Sequence, residues 1–87
     1  MVYYSKKLDL NIDIDLIYEA IQNGNKVSNG FNGFFLHKKE NCICYNTYGS
    51  SAVANTKEAL KWVIERLDEH FDLRDFKIGK DLYVNTI

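Results

Sequence analysis

The sequence predicts a two-layer α+β domain of order β-α-β-β-α-β, with room for one further terminal strand. In it, two helices cover one face of a mostly antiparallel sheet. Three observations carry this. Residues 8–13 alternate strictly between apolar and polar, the period of a half-buried strand. Ile14, Ile17, Tyr18 and Ile21, and later Leu60, Val63, Ile64, Leu67 and Phe71, recur at the spacing of a helix stripe. Between the two helices, residues 31–48 read as two apolar runs around Lys39-Glu40-Asn41, a hairpin. A sheet with both helices on one face buries all three patterns at once, and a ferredoxin-like split β-α-β arrangement is one way to connect it.

Taken in order, Leu8, Leu10 and Ile12 alternate with Asp9, Asn11 and Asp13, and Val2 and Tyr4 share their parity. A strand over most of residues 2–11 follows, interrupted at Lys6. Asp13 is an N-cap, its carboxylate placed to accept from free N–H groups of the first turn. Leu16 and Ala20 widen the apolar face of the first helix, and Gly24 supplies the left-handed residue that ends it. Asn23-Gly24, Asn29-Gly30 and Asn32-Gly33 then predict a turn-rich loop leading to a strand from Phe31. Cys42 to Tyr48 is the return strand. Residues 49–55 read as a small-residue loop, with Asn55 and Glu58 as a capping box for the second helix. Phe76-Lys77-Ile78 and Leu82-Tyr83-Val84 flank Gly79-Lys80-Asp81, either as strand-turn-strand or as one terminal strand.

The chain has 87 residues, 46% of them apolar and 26% charged, enough for one domain over residues 1–87 with one core. A chain of this length buries roughly 60–65% of the surface its unfolded form exposes. Eleven basic against twelve acidic residues give a net charge of −1, which argues against a broad electrostatic grip on nucleic acid. Residues 1–7 bring charge before any apolar run, unlike a secretory signal, and no segment approaches the roughly eighteen apolar residues of a membrane span. Two cysteines one residue apart form no disulfide framework, so a cytoplasmic protein without membrane attachment is expected. Abundant Asn, Ile, Lys and Tyr with no proline match AT-rich codons, as in a low-GC bacterium or a phage or plasmid living in one.

Several residue groups suggest chemistry and are weighed against plainer roles. His37, Cys42, Cys44 and His70 have the composition of a zinc site, but C-x-C on a strand aims both sulfurs in parallel. Two small buried hydrophobes and two surface imidazoles account for them as well. Cys42 or Cys44 with His37 lacks an acidic partner to orient the imidazole. Asp13 with Asp15 belongs to a helix start, and Asp68 with Glu69 to a solvated helix end. No catalytic residue, metal or cofactor is therefore expected, and the domain is read as non-enzymatic. Ser50, Ser51, Thr56 and Lys57 surround a helix N-terminus and offer a sequestering site for a nucleotide-like anion, though without P-loop order. Phe31, Phe34, Phe35, Tyr45 and Tyr48, with Lys38 and Lys39, suggest single-stranded nucleic acid on the hairpin, less favoured because some of these rings must build the core.

Folding explains Trp62 least. At about 100° per residue it falls about 200° from Leu60, opposite the apolar stripe and among Glu58, Glu65, Arg66 and Glu69. A tryptophan there is an anchor for a protein partner, with Tyr48 as a second, or it lies beneath the C-terminal segment. The expected function is a small protein-binding module that inhibits or antagonises a larger protein. Mobile-element anti-defence proteins such as CRISPR inhibitors, and toxin-immunity proteins, belong to that class. The expected state is a monomer or a homodimer, with Trp62 or an edge strand at a dimer interface.

Overall fold

In the computed structural model, which describes residues 1–79 and 82–83, the chain opens with a self-contained hairpin. β1 (Val2–Ser5) pairs antiparallel with β2 (Leu10–Asp13), in the register Tyr3↔Ile12 and Ser5↔Leu10. Residues 2–11 are therefore two strands, not one. The break at Lys6 is a turn, in which Asp9 takes a left-handed φ of 53° and Ser5 Oγ accepts from Leu8 N. The turn also reverses the expected face at the N-terminus. Ser5 and Ile12 are inaccessible to solvent, whereas Val2 and Tyr4 are 55% and 48% exposed.

α1 (Ile14–Gln22) starts where predicted. Asp13 caps it by accepting from Leu16 N, and Ile14, Ile17 and Ile21 are buried. Leu16, expected to widen the buried face, is 43% exposed, off the Ile14, Ile17 and Ile21 stripe that meets the core. Asn23 is the C-cap, and Gly24 follows with a φ of +93°.

The turn-rich loop hides a strand: β3 (Val27–Ser28), which pairs with β4 (Gly33–His37). β4 begins at Gly33 rather than Phe31. A Cβ on Gly33 would lie 2.2 Å from the Val27 carbonyl oxygen, so only glycine lets the two backbones meet there. β5 (Cys42–Asn46) returns, two residues shorter than expected, and β6 (Ser50–Ala54) follows it. The predicted 49–55 loop is thus mostly a strand, paired with β5 from Ser50↔Asn46 to Ala54↔Cys42. Ser and Ala have weak strand preference; the ready-made edge of β5 and the burial of Val53 beside Ile43 override it.

α2 (Lys57–His70) buries Leu60, Val63, Ile64 and Leu67, as its period requires. Phe71 is its half-buried C-cap. The N-cap is Thr56, whose side chain accepts from Ala59 N, and not Asn55. After a 3₁₀ turn at Leu73–Asp75 come β7 (Lys77–Ile78) and β8 (Leu82–Tyr83), which pair antiparallel, the strand-turn-strand alternative. Lys80, Asp81 and Val84 lie outside the described residues.

Among the described residues the main sheet has six strands in the order β6-β5-β4-β3-β7-β8, every pair antiparallel. A ferredoxin-like connection is overturned, because among the described residues β1 pairs with β2 alone, in a separate two-stranded sheet. Cross-strand partners share a face, so Val27, Phe34, Ile43 and Ile78 point the same way. They meet Ile17, Ile21, Leu60, Val63 and Ile64 in one core, with Ile12 from the N-terminal hairpin. The fold is a small α+β domain. No helix among the described residues is long and apolar enough to cross a membrane.

Candidate protein-binding surface

Among the described residues, the two aromatic rings most exposed to water are Phe31, at 88%, and Tyr48, at 80%. Both sit in turns at one end of the β4–β5 pair, and the asparagines beside them fix those turns. Asn29 Oδ1 accepts from Phe31 N and Asn32 N. Asn32 Nδ2 donates to Thr47 O at 2.6 Å. Asn46 Oδ1 accepts from Gly33 N, and its Nδ2 donates to Phe31 O. Polar side chains thus replace the ladder where the strands end, and both turns are held without burying their aromatics.

Tyr48 does not stand alone. Its ring meets His70 edge-on at 5.1 Å and Phe71 at 5.9 Å, which ties the β5–β6 turn to the end of α2. Phe71 in turn reaches the buried Phe76 at 6.3 Å, so the exposed ring is backed by core. One α-helical step of four residues from His70 lies Arg66, and a second such step reaches Trp62. The Arg66 guanidinium lies over the Trp62 ring at 5.4 Å.

Trp62 is not fully outward, and the C-terminal residues 84–87 expected above it lie outside the described residues. It is 44% exposed, and its ring stands nearly perpendicular to Tyr45 on β5, with centroids 5.9 Å apart. The helical wheel places Trp62 opposite the α1 side of α2, but its large ring reaches the sheet. Around it, Glu58 and Glu69 are exposed, while Glu65 and Arg66 are half-buried. Arg66 Nε is out of contact with water and has no hydrogen-bond partner.

The expected anion cradle is not assembled. Ser50 and Ser51 begin β6, and three further strand residues, then Asn55 and Thr56, separate them from the helix start at Lys57. Thr56 Oγ1 is occupied as the cap, and Lys57 pairs with Asp15 at 3.2 Å. Asn55 is equally committed: its Nδ2 donates to Gln22 Oε1 and Asn41 Oδ1, and its Oδ1 accepts from Gln22 Nε2. The hairpin does not collect aromatics beside cations either. Phe34 is in the core and Phe35 is on the opposite sheet face, while Lys38 and Lys39 lie in the β4–β5 turn, at the far end from Phe31 and Tyr48.

His37, Cys42 and Cys44 do share the outer sheet face. His37 and Cys42 are direct cross-strand partners, and the two sulfurs are 3.9 Å apart. His70 is far from them, on the helix side. Among the described residues no group of three His, Cys, Asp or Glu side chains is placed to hold a metal. Burial, then the hydrogen bond with Cys42, pushes the Cys44 thiol above its usual range, the opposite of what a nucleophilic thiolate needs. The same face carries a shallow concavity of about 530 Å³ lined by Lys26, Phe35, Cys44, Asn46, Ser50 and Ala52, where a single cation faces mostly apolar and amide surface.

Asp68, expected at a solvated helix end, is instead only 5% exposed. Its Oδ2 accepts from the Tyr3 hydroxyl at 2.6 Å, and Lys7 Nζ donates to the carbonyls of Asp68 and Phe71. The β1–β2 hairpin therefore closes the C-terminal turn of α2; one oxygen of the Asp68 carboxylate is engaged there, while its Oδ1 is buried without a hydrogen-bond partner among the described residues. Period alone could not reveal this, because the partner lies on a different element. Sequence reasoning also passed over Phe31 as an exposed anchor, although its position between two Asn-Gly pairs marks it as a turn residue. Compared with protein-family models, with curated proteins and with solved structures, the chain matches none of them.

Proposed function

We propose that this domain is a non-enzymatic protein-binding module that docks rigidly onto a larger protein, as an inhibitor or antagonist does. The observation that carries the reading is Tyr48, 80% exposed on a turn that asparagine hydrogen bonds and the His70 and Phe71 rings hold in place. An exposed aromatic on a fixed turn loses little freedom on binding, and tyrosine and tryptophan recur as interface anchors. Phe31 extends the surface on one side, and His70 extends it to the end of α2. Glu65 and Glu69 give that end an acidic border suited to steering a basic partner surface. Rigid occlusion of a site on another protein needs no catalytic constellation. An anti-defence or immunity role of the kind mobile elements carry is compatible with that, and so is a cytoplasmic location.

The test is affinity capture with the intact chain beside Tyr48→Ala and Phe31→Ala. The expected result is a protein retained by the parent and lost from Tyr48→Ala, with the thermal unfolding midpoint unchanged. Retention of the same proteins by both variants overturns the reading. So does binding of nucleotides or single-stranded nucleic acid that both variants keep.

A further inference from the structure

The side of α2 that carries Trp62 and the strand beneath it form a surface that matches itself. β6 is the outermost strand of the main sheet, paired only with β5 among the described residues. Its sequence, Ser-Ser-Ala-Val-Ala, has no charge and no proline, and its register with β5 runs through all five residues without a bulge. Exposed edges normally carry one of those devices, because a bare row of N–H and C=O groups templates another strand. Above this edge, α2 contacts β6 and lays Trp62 against Tyr45 of β5. Tyr45 is the cross-strand partner of Ser51, so Trp62 stands level with the middle of β6. Glu58, Trp62 and Arg66 follow at i, i+4 and i+8, on one line of the helix. Neither Glu58 nor Arg66 has an ion pair among the described residues.

We infer that the β6 edge and the Glu58–Trp62–Arg66 line together bind a second copy of this chain, about a two-fold axis close to Ala52. Antiparallel pairing of the two β6 strands joins the sheets edge to edge. Strands lie about 4.8 Å apart, so the two Tyr45 residues, each one strand in from the edge and each against a Trp62 ring, stand about 15 Å apart across the axis, a gap that the facing indole, acid and guanidinium side chains fill. The two helices run antiparallel across the axis. Glu58 and Arg66 stand four residues either side of Trp62, so Glu58 of each copy faces Arg66 of the other, twice. A line that reads acid, indole, base is complementary to its own reverse, which is what an isologous interface demands. The exposed half of each Trp62 ring is then covered by its symmetry mate. The inference names the occupant of the α2 face and rests on the protein-binding reading. Its test reads the mass of the purified chain and not capture through Tyr48, so either can fail alone.

Sedimentation equilibrium of the full chain is expected to give twice the 10.1 kDa monomer mass at about 100 μM. Glu58→Arg and Arg66→Glu should each raise the dissociation constant about tenfold or more, because each turns two attractions into two repulsions. The double variant, with the charges exchanged, should return to within about threefold of the parent. Ala52→Lys, which sets like charges opposite each other at the axis without touching the core, should also weaken the dimer. Far-UV circular dichroism of every variant checks that the monomer remains folded. A single-chain mass up to about 1 mM overturns the proposal. So does a dimer that the charge exchange fails to restore, or one indifferent to Ala52→Lys.

Discussion

Tyr3 donates its hydroxyl to the Asp68 carboxylate at 2.6 Å, joining β1 to the last turn of α2 across 65 positions of sequence. The bond holds the N-terminal hairpin, which pairs with no strand of the main sheet, against the rest of the domain. Tyr3→Phe removes the donor and leaves a buried carboxylate with less compensation, at a cost of about 2 kcal/mol. Urea unfolding followed by circular dichroism measures it. Burial first, and then the bond to Asp68, raise the Tyr3 phenol well above its ordinary value of 10.0. A raised phenol contributes stability that is fully present below its unfolded pKa and lost as pH climbs beyond it. The alkaline limb of the stability profile should therefore flatten in Tyr3→Phe.

Thr56 and Asn55 are adjacent and do different work. Thr56→Ala removes the cap of α2 and is expected to cost about 1 kcal/mol. Asn55→Ala leaves the cap but cuts the bonds to Gln22 and Asn41 that join α1, the β4–β5 turn and the start of α2. Amide exchange separates them: Thr56→Ala should speed exchange in the first turn of α2, and Asn55→Ala at the end of α1.

Acid should loosen the domain at identifiable places. The Arg74 side chain, and then its backbone N–H, hold the Asp72 carboxyl down to about 2. Hydrogen bonds from the N-terminal ammonium and from Lys57 lower that of Asp15. For carboxyls lowered by folding, the stabilisation is complete above the unfolded pKa and lost as pH falls through the folded one. The Asp72 share disappears between about pH 4 and pH 2, so Asp72→Asn should reduce the pH dependence of the unfolding midpoint in that window. Both groups are solvent-exposed, so the effect is small and should shrink further in high salt.

Trp62 is the chain's single tryptophan, so its fluorescence reports one site. With 44% of the residue exposed and one edge against Tyr45, its emission should be quenched by iodide in part, less than a free indole. Trp62→Ala should destabilise by about 2–3 kcal/mol, the edge-on contact together with the apolar area the ring buries, and leave the domain folded. Complete unfolding would place Trp62 in the core and remove it as a binding residue.

Much of the framework was legible in the residues. The stripe of Leu60, Val63, Ile64 and Leu67, the Asp13 cap and the hairpin around residues 38–41 depend on periods and turn chemistry that act within a few positions. β6 was not legible, because Ser50–Ala54 has no intrinsic strand signal and takes its form from β5. The two-residue β3 is too short to show a period. Of the proposed binding surface, Tyr48 and Trp62 stood out as aromatics without a periodic place. Phe31 did not, because a neighbouring phenylalanine run made it look like strand.

By itself the sequence determined an α+β domain with two amphipathic helices, since those patterns need only local geometry and the hydrophobic effect to express themselves. The tertiary structure alone decided which face of β1 turns inward, that Asp68 is buried and that Trp62 is half-sheltered by Tyr45. Each of these depends on a second element: the β2 strand that β1 folds back on, Tyr3 for Asp68 from 65 positions away, and Tyr45 for Trp62 from another layer of the domain. Spacing along one element cannot specify what another element will press against it.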